Sequence, residues 1–294
     1  GVSVDPDREV LALIGSKEGI AHLVTAFVNP GEYVLAPSIG YPVYSGGATL
    51  MSANAYFMPM KEENGFLADF SNVPADVLAQ AKIMFIGYPN NPTGAVATEE
   101  YFDRAIAFCR EHDLLLAHDN AYWDICFDGY RAPSILERPG AKDVCIEFFS
   151  LSKPYNMTGW RIGYALGSET LISTLEAVKN SYNSYTMDAI ALAVGEASIR
   201  DEDYFQQTCR KVSTTRDRSA EALRALGFTV LPSLTNFLFV THPEKTAPDI
   251  FAALREKGIF IRYFKLPRID NYLRITVGTD EQMDKLIAAL KEIL

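Results

Sequence analysis

Short apolar runs alternate with amphipathic stretches over the first half of the chain. EVLALIG (9–15), YVLAP (33–37), AKIMFIGY (81–88), LLLAHD (114–119) and VCIEFFS (144–150) have strand length and little polar interruption, and helical patterns lie among them at 17–27 and 98–112. Strands that do not alternate with polar residues are buried on both faces, so the pattern predicts a mostly parallel sheet with helices on both sides. From about residue 168 the character changes. A helix running through residue 177 and another over 201–226 precede NFLFVTH (236–242), a helix at 248–257, IFIRYF (259–264), YLRITVG (272–278) and a terminal helix from 281. This part predicts a smaller α+β domain. The expected division is a large domain over 1–175, followed by a linking helix and small C-terminal domain over 176–294.

Composition narrows the class. At 294 residues, 48% apolar and 22% charged, the chain can bury a large core. Its formal charge of −10, with no block of lysine and arginine, argues against nucleic acid or an anionic membrane surface as the main partner. Cys109, Cys126, Cys145 and Cys209 are far apart without CxxC spacing, and His22, His112, His118 and His242 form no ligand pattern. These are the marks of reduced thiols in a cytoplasmic protein, and no metal is expected in the mechanism. No signal peptide or membrane span is visible in the sequence.

Candidate chemistry gathers at the ends of the apolar runs, where open α/β sheets hold their ligands. FFSLSKPYNMTGWRIG (148–163) places Ser150, Ser152, Lys153 and Arg161 just beyond a buried strand. A lysine amine can form a Schiff base with an aldehyde, and burial beside other cations would keep it neutral. A turn and a returning strand would bring the planar fork of Arg161 back to a phosphate also held by the two serines. That combination is what a pyridoxal phosphate anchor needs. In IGSKEG, Gly15 ends a strand and Ser16 with Lys17 opens a helix whose free N–H groups favour a phosphate, although a plain strand-to-helix turn reads the same way. In GYPNNPTG, Asn91 follows a strand in a proline-stiffened loop, where its amide could donate to a cofactor oxygen. HDNAY sets Asp119 at a strand end, where a carboxylate could pair with a protonated pyridine nitrogen or cap the next helix. Tyr122 follows three residues later, within reach of a ring hydroxyl. Tyr41, in IGYPVY, could stack on a ring or be an ordinary core aromatic. Arg274 and Arg262 lie in strand-like stretches where a charge needs a partner, which makes each a candidate anion clamp or an edge-strand charge.

In this order the motifs resemble the class I and II aminotransferases of the fold-type I pyridoxal phosphate family, over nearly the whole chain. The resemblance implies pyridoxal 5′-phosphate as cofactor, bound as a Schiff base by Lys153. It implies that Lys153 then shuttles a proton, that Asp119 pairs with the pyridine nitrogen, and that Tyr122 and Asn91 contact the ring hydroxyl. Tyr41 would stack on the ring, while Gly15, Ser16, Lys17, Ser150, Ser152 and Arg161 would surround the phosphate. Arg274 would anchor a substrate carboxylate, with Arg262, Asn91 and Lys17 also on the substrate side. Amino acid and keto acid substrates and a homodimer are implied as well.

Within the family the two parts of the chain differ. Residues 1–168, with PSIGYPVY, YPNNPTGAVA and SLSKPYNMTGWRIG, resemble LL-diaminopimelate aminotransferase. Residues 169–294, with VKNSYNSY, GFTVLPSLTNFLFV and IRYFKLPRIDNYLRITVGT, resemble histidinol-phosphate aminotransferase. A natural recombinant, an engineered chimera or a divergent sequence would each produce this. Both subfamilies carry an N-terminal segment ahead of the point where this chain begins, and without it the expectation is retained cofactor binding with poor turnover. The reading favours amino transfer between glutamate and LL-diaminopimelate. Histidinol phosphate, carbon–sulfur β-elimination and a catalytically silent scaffold are the alternatives.

Overall fold

The computed structural model of the chain describes residues 1–125, 127 and 129–294, the side chain of Tyr182 excepted. The strands are β1 (Val10–Leu13), β2 (Tyr33–Pro37), β3 (Asn54–Met58), β4 (Ala81–Ile86), β5 (Leu115–Asp119), β6 (Cys145–Ser150), β7 (Gly163–Leu166), β8 (Thr229–Val230), β9 (Phe237–Thr241), β10 (Arg262–Tyr263) and β11 (Leu273–Thr276). The α-helices are α1 (Ser16–Phe27), α2 (Val43–Leu50), α3 (Ala75–Leu78), α4 (Glu99–Glu111), α5 (Glu169–Tyr182), α6 (Ala189–Arg200), α7 (Glu202–Ala225), α8 (Ala247–Glu256) and α9 (Asp280–Ile293).

Two compact units result. The first comprises Gly1–Asn91, Val96–Asp124 and Arg131–Glu202; the second comprises Pro92–Ala95, Ile125–Tyr130 and Asp203–Leu294. In the first, seven strands form one sheet in the order β1, β7, β6, β5, β4, β2, β3. The pairs β2/β4, β4/β5 and β5/β6 are parallel, as the apolar runs predict, and so is β2/β3, whose β3 has no predicted run; β7 lies antiparallel between β6 and β1. The hairpin formed by β6 and β7 therefore carries the chain from Ser150 back to Gly163, which are register partners.

Helix α1 shows why the sheet is covered. Its buried Ile20, Leu23 and Val24 follow helical spacing and pack with Leu13, Val34, Phe85 and Phe148 of the strands. Burying each large apolar side chain contributes about 1.5–3 kcal/mol. Thr98 caps α4 by accepting from the Tyr101 amide, and Ser168 does the same for α5 through Leu171.

In the second unit the sheet order is β10, β11, β9, β8, and all three pairings are antiparallel. Leu223, Val240, Ile250, Leu254, Leu273 and Leu286 form its core. Thr279 and Gln282 cap α9 reciprocally. Helix α6 has no counterpart in the sequence expectation. Its segment AIALAVGEASIR is apolar nearly all round, so it lacks the polar stripe that marks an amphipathic helix, and Gly195 interrupts it.

Cys109 and Cys145 are buried thiols outside any disulfide, and Cys126 lies outside the described residues. No described helix is long and apolar enough to cross a membrane.

Candidate active site

The parallel strands β4, β5 and β6 end on one side of the sheet, and their continuations carry Asn91, Asp119 and Lys153. Helix α1 starts at the same region because the hairpin turn returns Arg161 to it. Arg161 Nη2 donates to the Ile14 carbonyl at 2.7 Å, and Nη1 donates to Thr158 at 3.1 Å. Gly15 adopts φ +101°, and a β-carbon there would stand 2.7 Å from Arg161 Nη2. Glycine at this position thus serves both the turn and the close approach. One residue on, Ser16 begins α1 and is buried. Its amide would lie 2.7 Å from a β-carbon on Gly163, so β7 presses directly on the helix start.

The serines expected at the phosphate are also here. Ser150 and Ser152 are buried, and the Ser152 amide donates to Ser150 Oγ at 3.2 Å. Thr158 Oγ1 donates to the Ser152 carbonyl at 3.0 Å and braces the turn. The free amides at the start of α1, the Arg161 fork and the serine hydroxyls form a cradle with anion-binding chemistry.

Asp119 ends β5 with its carboxylate divided between two environments. Oδ2 accepts from the Tyr44 hydroxyl at 3.0 Å, whereas Oδ1 is buried without a hydrogen bond among the described residues. Burial pushes the Asp119 carboxyl up to about 6, against the opposing pull of the Tyr44 hydrogen bond and of His118, Lys153 and Ser16. A buried carboxylate oxygen in want of a donor fits a protonated pyridine nitrogen. On both counts, cradle and carboxylate, the residues present fit pyridoxal phosphate.

Lys153 stands in the turn beyond β6 with its Nζ 6.0 Å from the centre of the Tyr122 ring, which is itself buried. The burial expected of this lysine is not found: the residue is exposed, in the turn beyond β6 between the buried Ser152 and Pro154. Lys17 is also exposed, with its Nζ 5.0 Å from the Tyr41 ring centre. Tyr41 is half-buried and meets Tyr44 edge-on at 6.4 Å. Asn91 is half-buried just after Asn90, whose side-chain amide donates to the Ile39 and Gly87 carbonyls at 3.4 Å.

In the second unit Arg262 and Arg274 are register partners across β10 and β11. Both guanidinium groups lie over the Phe264 ring, at 5.5 and 5.8 Å.

Two features escaped the sequence reading. Tyr44, three residues after Tyr41, is the one that reaches Asp119. Behind Asp119, His118 and Glu147 are wholly buried and 2.9 Å apart. Glu147 also accepts from Asn120 Nδ2 at 2.9 Å, from the Ile135 amide at 3.3 Å and from Ser134 Oγ. A glutamate inside CIEFFS and a histidine inside LLLAHD were the available signals, since charged residues in buried strands need partners.

The sequence pattern of the family Aminotransferase class I and II matches residues 1–290. An LL-diaminopimelate aminotransferase of Dehalococcoides mccartyi is 43% identical over 99% of this chain and 76% of its own length. A second, of Moorella thermoacetica, is 42% identical over 100% of this chain and 77% of its own length. Among solved structures, the "probable N-succinyldiaminopimelate aminotransferase" of Thermus thermophilus superposes with a TM-score of 0.91 at 37% identity, covering 100% of this chain and 80% of that one.

Proposed function

The chain belongs to the class I and II aminotransferases, and from that premise we propose that it moves an amino group between glutamate and LL-diaminopimelate with pyridoxal 5′-phosphate as cofactor. The buried, donor-seeking Oδ1 of Asp119 beside the α1 cradle is the observation that carries the cofactor reading. Bound there, pyridoxal phosphate supplies an electron sink for the carbanion left when a substrate α-proton departs.

The residues divide the remaining work. Gly15, Ser16, Ser150, Ser152 and Arg161 hold the phosphate, and Lys17 adds charge at its rim. Asp119 keeps the ring nitrogen protonated, Tyr122 and Asn91 hold the ring hydroxyl, and Tyr41 covers the ring face. Lys153 Nζ anchors the cofactor and afterwards takes the proton from the substrate α-carbon, a role for which exposure to the substrate side is an advantage. Arg274 clamps the substrate α-carboxylate.

Substrate choice follows from identity and charge. Both relatives described above, 43% and 42% identical, carry the name LL-diaminopimelate aminotransferase. Arg262 and Arg274 are register partners across β10 and β11, and two guanidinium groups side by side suit an anionic substrate. The same arginine pair also suits a phosphate monoester, which keeps histidinol phosphate as the second reading.

Leu192 and Ile199, seven positions apart on one exposed face of α6, support a homodimer. Sedimentation of the loaded protein should give twice the chain mass. Turnover of 2-oxoglutarate to glutamate, measured with each donor in turn, tests the substrate assignment. We expect kcat/KM for LL-diaminopimelate to exceed that for histidinol phosphate at least about tenfold. The reverse order would transfer the assignment, and release of ammonia or absence of turnover with any donor would refute amino transfer.

A further inference from the structure

We propose that Tyr44 is a positioning residue for Asp119: its hydroxyl occupies Oδ2 and thereby presents Oδ1 to the protonated ring nitrogen of the cofactor. The inference rests on the pairing of Asp119 with that nitrogen given above.

Tyr44 is held rigidly. It lies in α2, it is buried, and its ring stacks on Phe85 of β4 with centroids 5.0 Å apart and planes inclined by 11°. Tyr41 packs edge-on from the preceding turn. These contacts leave the hydroxyl one useful direction, toward Asp119 at 3.0 Å.

Room for that hydrogen bond is provided by Gly87, just beyond β4. A β-carbon on Gly87 would stand 2.9 Å from the Tyr44 hydroxyl and 3.3 Å from the Asp119 carbonyl oxygen. Any larger residue would push the two groups apart.

The chemistry follows from counting protons. An ionised carboxylate only accepts, and a phenol has a single proton to give. Tyr44 spends its proton on Oδ2, so Oδ1 is left for one further N–H. Burial keeps the Tyr44 proton in place, since it moves the phenol well above its ordinary value, and the Asp119 charge adds to the effect. The other groups facing the carboxylate come from three elements: His118 on β5, Lys153 in the turn after β6, and Ser16 on α1. All of them favour the ionised form, and Tyr44 is foremost among them. Removing the Tyr44 proton would let Asp119 take up a proton of its own and stop accepting from the ring.

Tyr44→Phe keeps the stacking and deletes only the donor. The first measurement is a carbon-13 NMR titration of the aspartate carboxyls in the full chain without cofactor, with Asp119→Asn identifying the resonance. The Asp119 midpoint should rise by roughly one pH unit or more in Tyr44→Phe. Gly87→Ala, which crowds the hydroxyl from the opposite side, should move it the same way. The second measurement is nitrogen-15 NMR of ring-labelled pyridoxal phosphate bound to each protein. The ring nitrogen should be protonated in the unsubstituted chain near pH 7.5 and should shift toward the unprotonated position in Tyr44→Phe, with kcat lower by roughly tenfold at unchanged KM. An unmoved Asp119 midpoint in both variants would overturn the role of Tyr44. A nitrogen that is unprotonated in the unsubstituted chain would instead overturn the Asp119 pairing itself, so the two failures are distinct.

Discussion

The guanidinium of Arg161 occupies the space that a β-carbon on Gly15 would need, 2.7 Å from it, although 146 residues separate the two in sequence. Strand β7 delivers Arg161, and the positive φ of Gly15 turns the chain into α1. Gly15→Ala should both strain the backbone and displace the fork, costing about 1–3 kcal/mol of stability. Cofactor affinity, followed by fluorescence titration, should weaken at least about tenfold. Unchanged affinity would separate Arg161 from the phosphate.

Lys153→Ala should abolish covalent attachment while leaving the cradle intact. After borohydride reduction, mass spectrometry should find the cofactor mass on the unsubstituted chain and not on the variant. Equilibrium dialysis should still detect non-covalent binding, because Ser16, Ser150, Ser152 and Arg161 remain. A label persisting in the variant would assign the anchor to another lysine.

The pH dependence of the site should follow Asp119. Its carboxyl is raised to about 6, so above that pH it is ionised and can pair with the protonated ring nitrogen. Cofactor affinity should therefore rise as pH increases through 6. Without cofactor the sign is opposite. The unfolded chain releases this proton near pH 4 and the folded chain near 6, so stability falls across that interval by up to about 3 kcal/mol. Denaturant melts of the cofactor-free chain at pH 4.5 and 7 should show this loss, and Asp119→Asn should remove that contribution.

Glu147→Ala should be among the most damaging substitutions in the first unit. It would strip His118, Asn120, Ser134 and the Ile135 amide of their common acceptor. A loss of about 3–5 kcal/mol is expected in a denaturant melt. Glu147→Gln keeps the shape and one acceptor and should cost less.

The two arginines of the small sheet should separate by kinetics. Arg274→Gln should lower kcat/KM for LL-diaminopimelate by roughly a hundredfold without changing cofactor affinity. Arg262→Gln, at the edge strand, should mainly raise KM. Equal, small effects from both would remove the substrate anion from this sheet.

Much of this was legible in the residues. Near-continuous apolar runs announced the strands of one large sheet, and all five predicted runs of the first half belong to it; β2, β4, β5 and β6 run parallel, while β1 pairs antiparallel at the edge. Lysine, serine, arginine and aspartate at the ends of those runs pointed to the side of the sheet where they now stand. Legibility failed where pattern and environment part company. Helix α6 hid because an apolar surface removes the polar stripe. Glu147 hid because one carboxylate in an apolar run does not alter the strand assignment, and its partners come from other segments. Schiff-base chemistry asks for a buried Lys153, yet three residues beyond β6, between the buried Ser152 and Pro154, its side chain is exposed.

Local pattern, then, determined most of the strands and helices and the residue types available for chemistry, because strand and helix periodicities depend on neighbours a few positions away. Tertiary structure decided which of those residues meet. Tyr44 and Asp119 are 75 positions apart, and their hydrogen bond depends on the order of strands β4 and β5, the seat of α2 and the room beside Gly87. The sequence shows a carboxylate at a strand end; only the packed fold selects which of its oxygens is satisfied and which is left to accept.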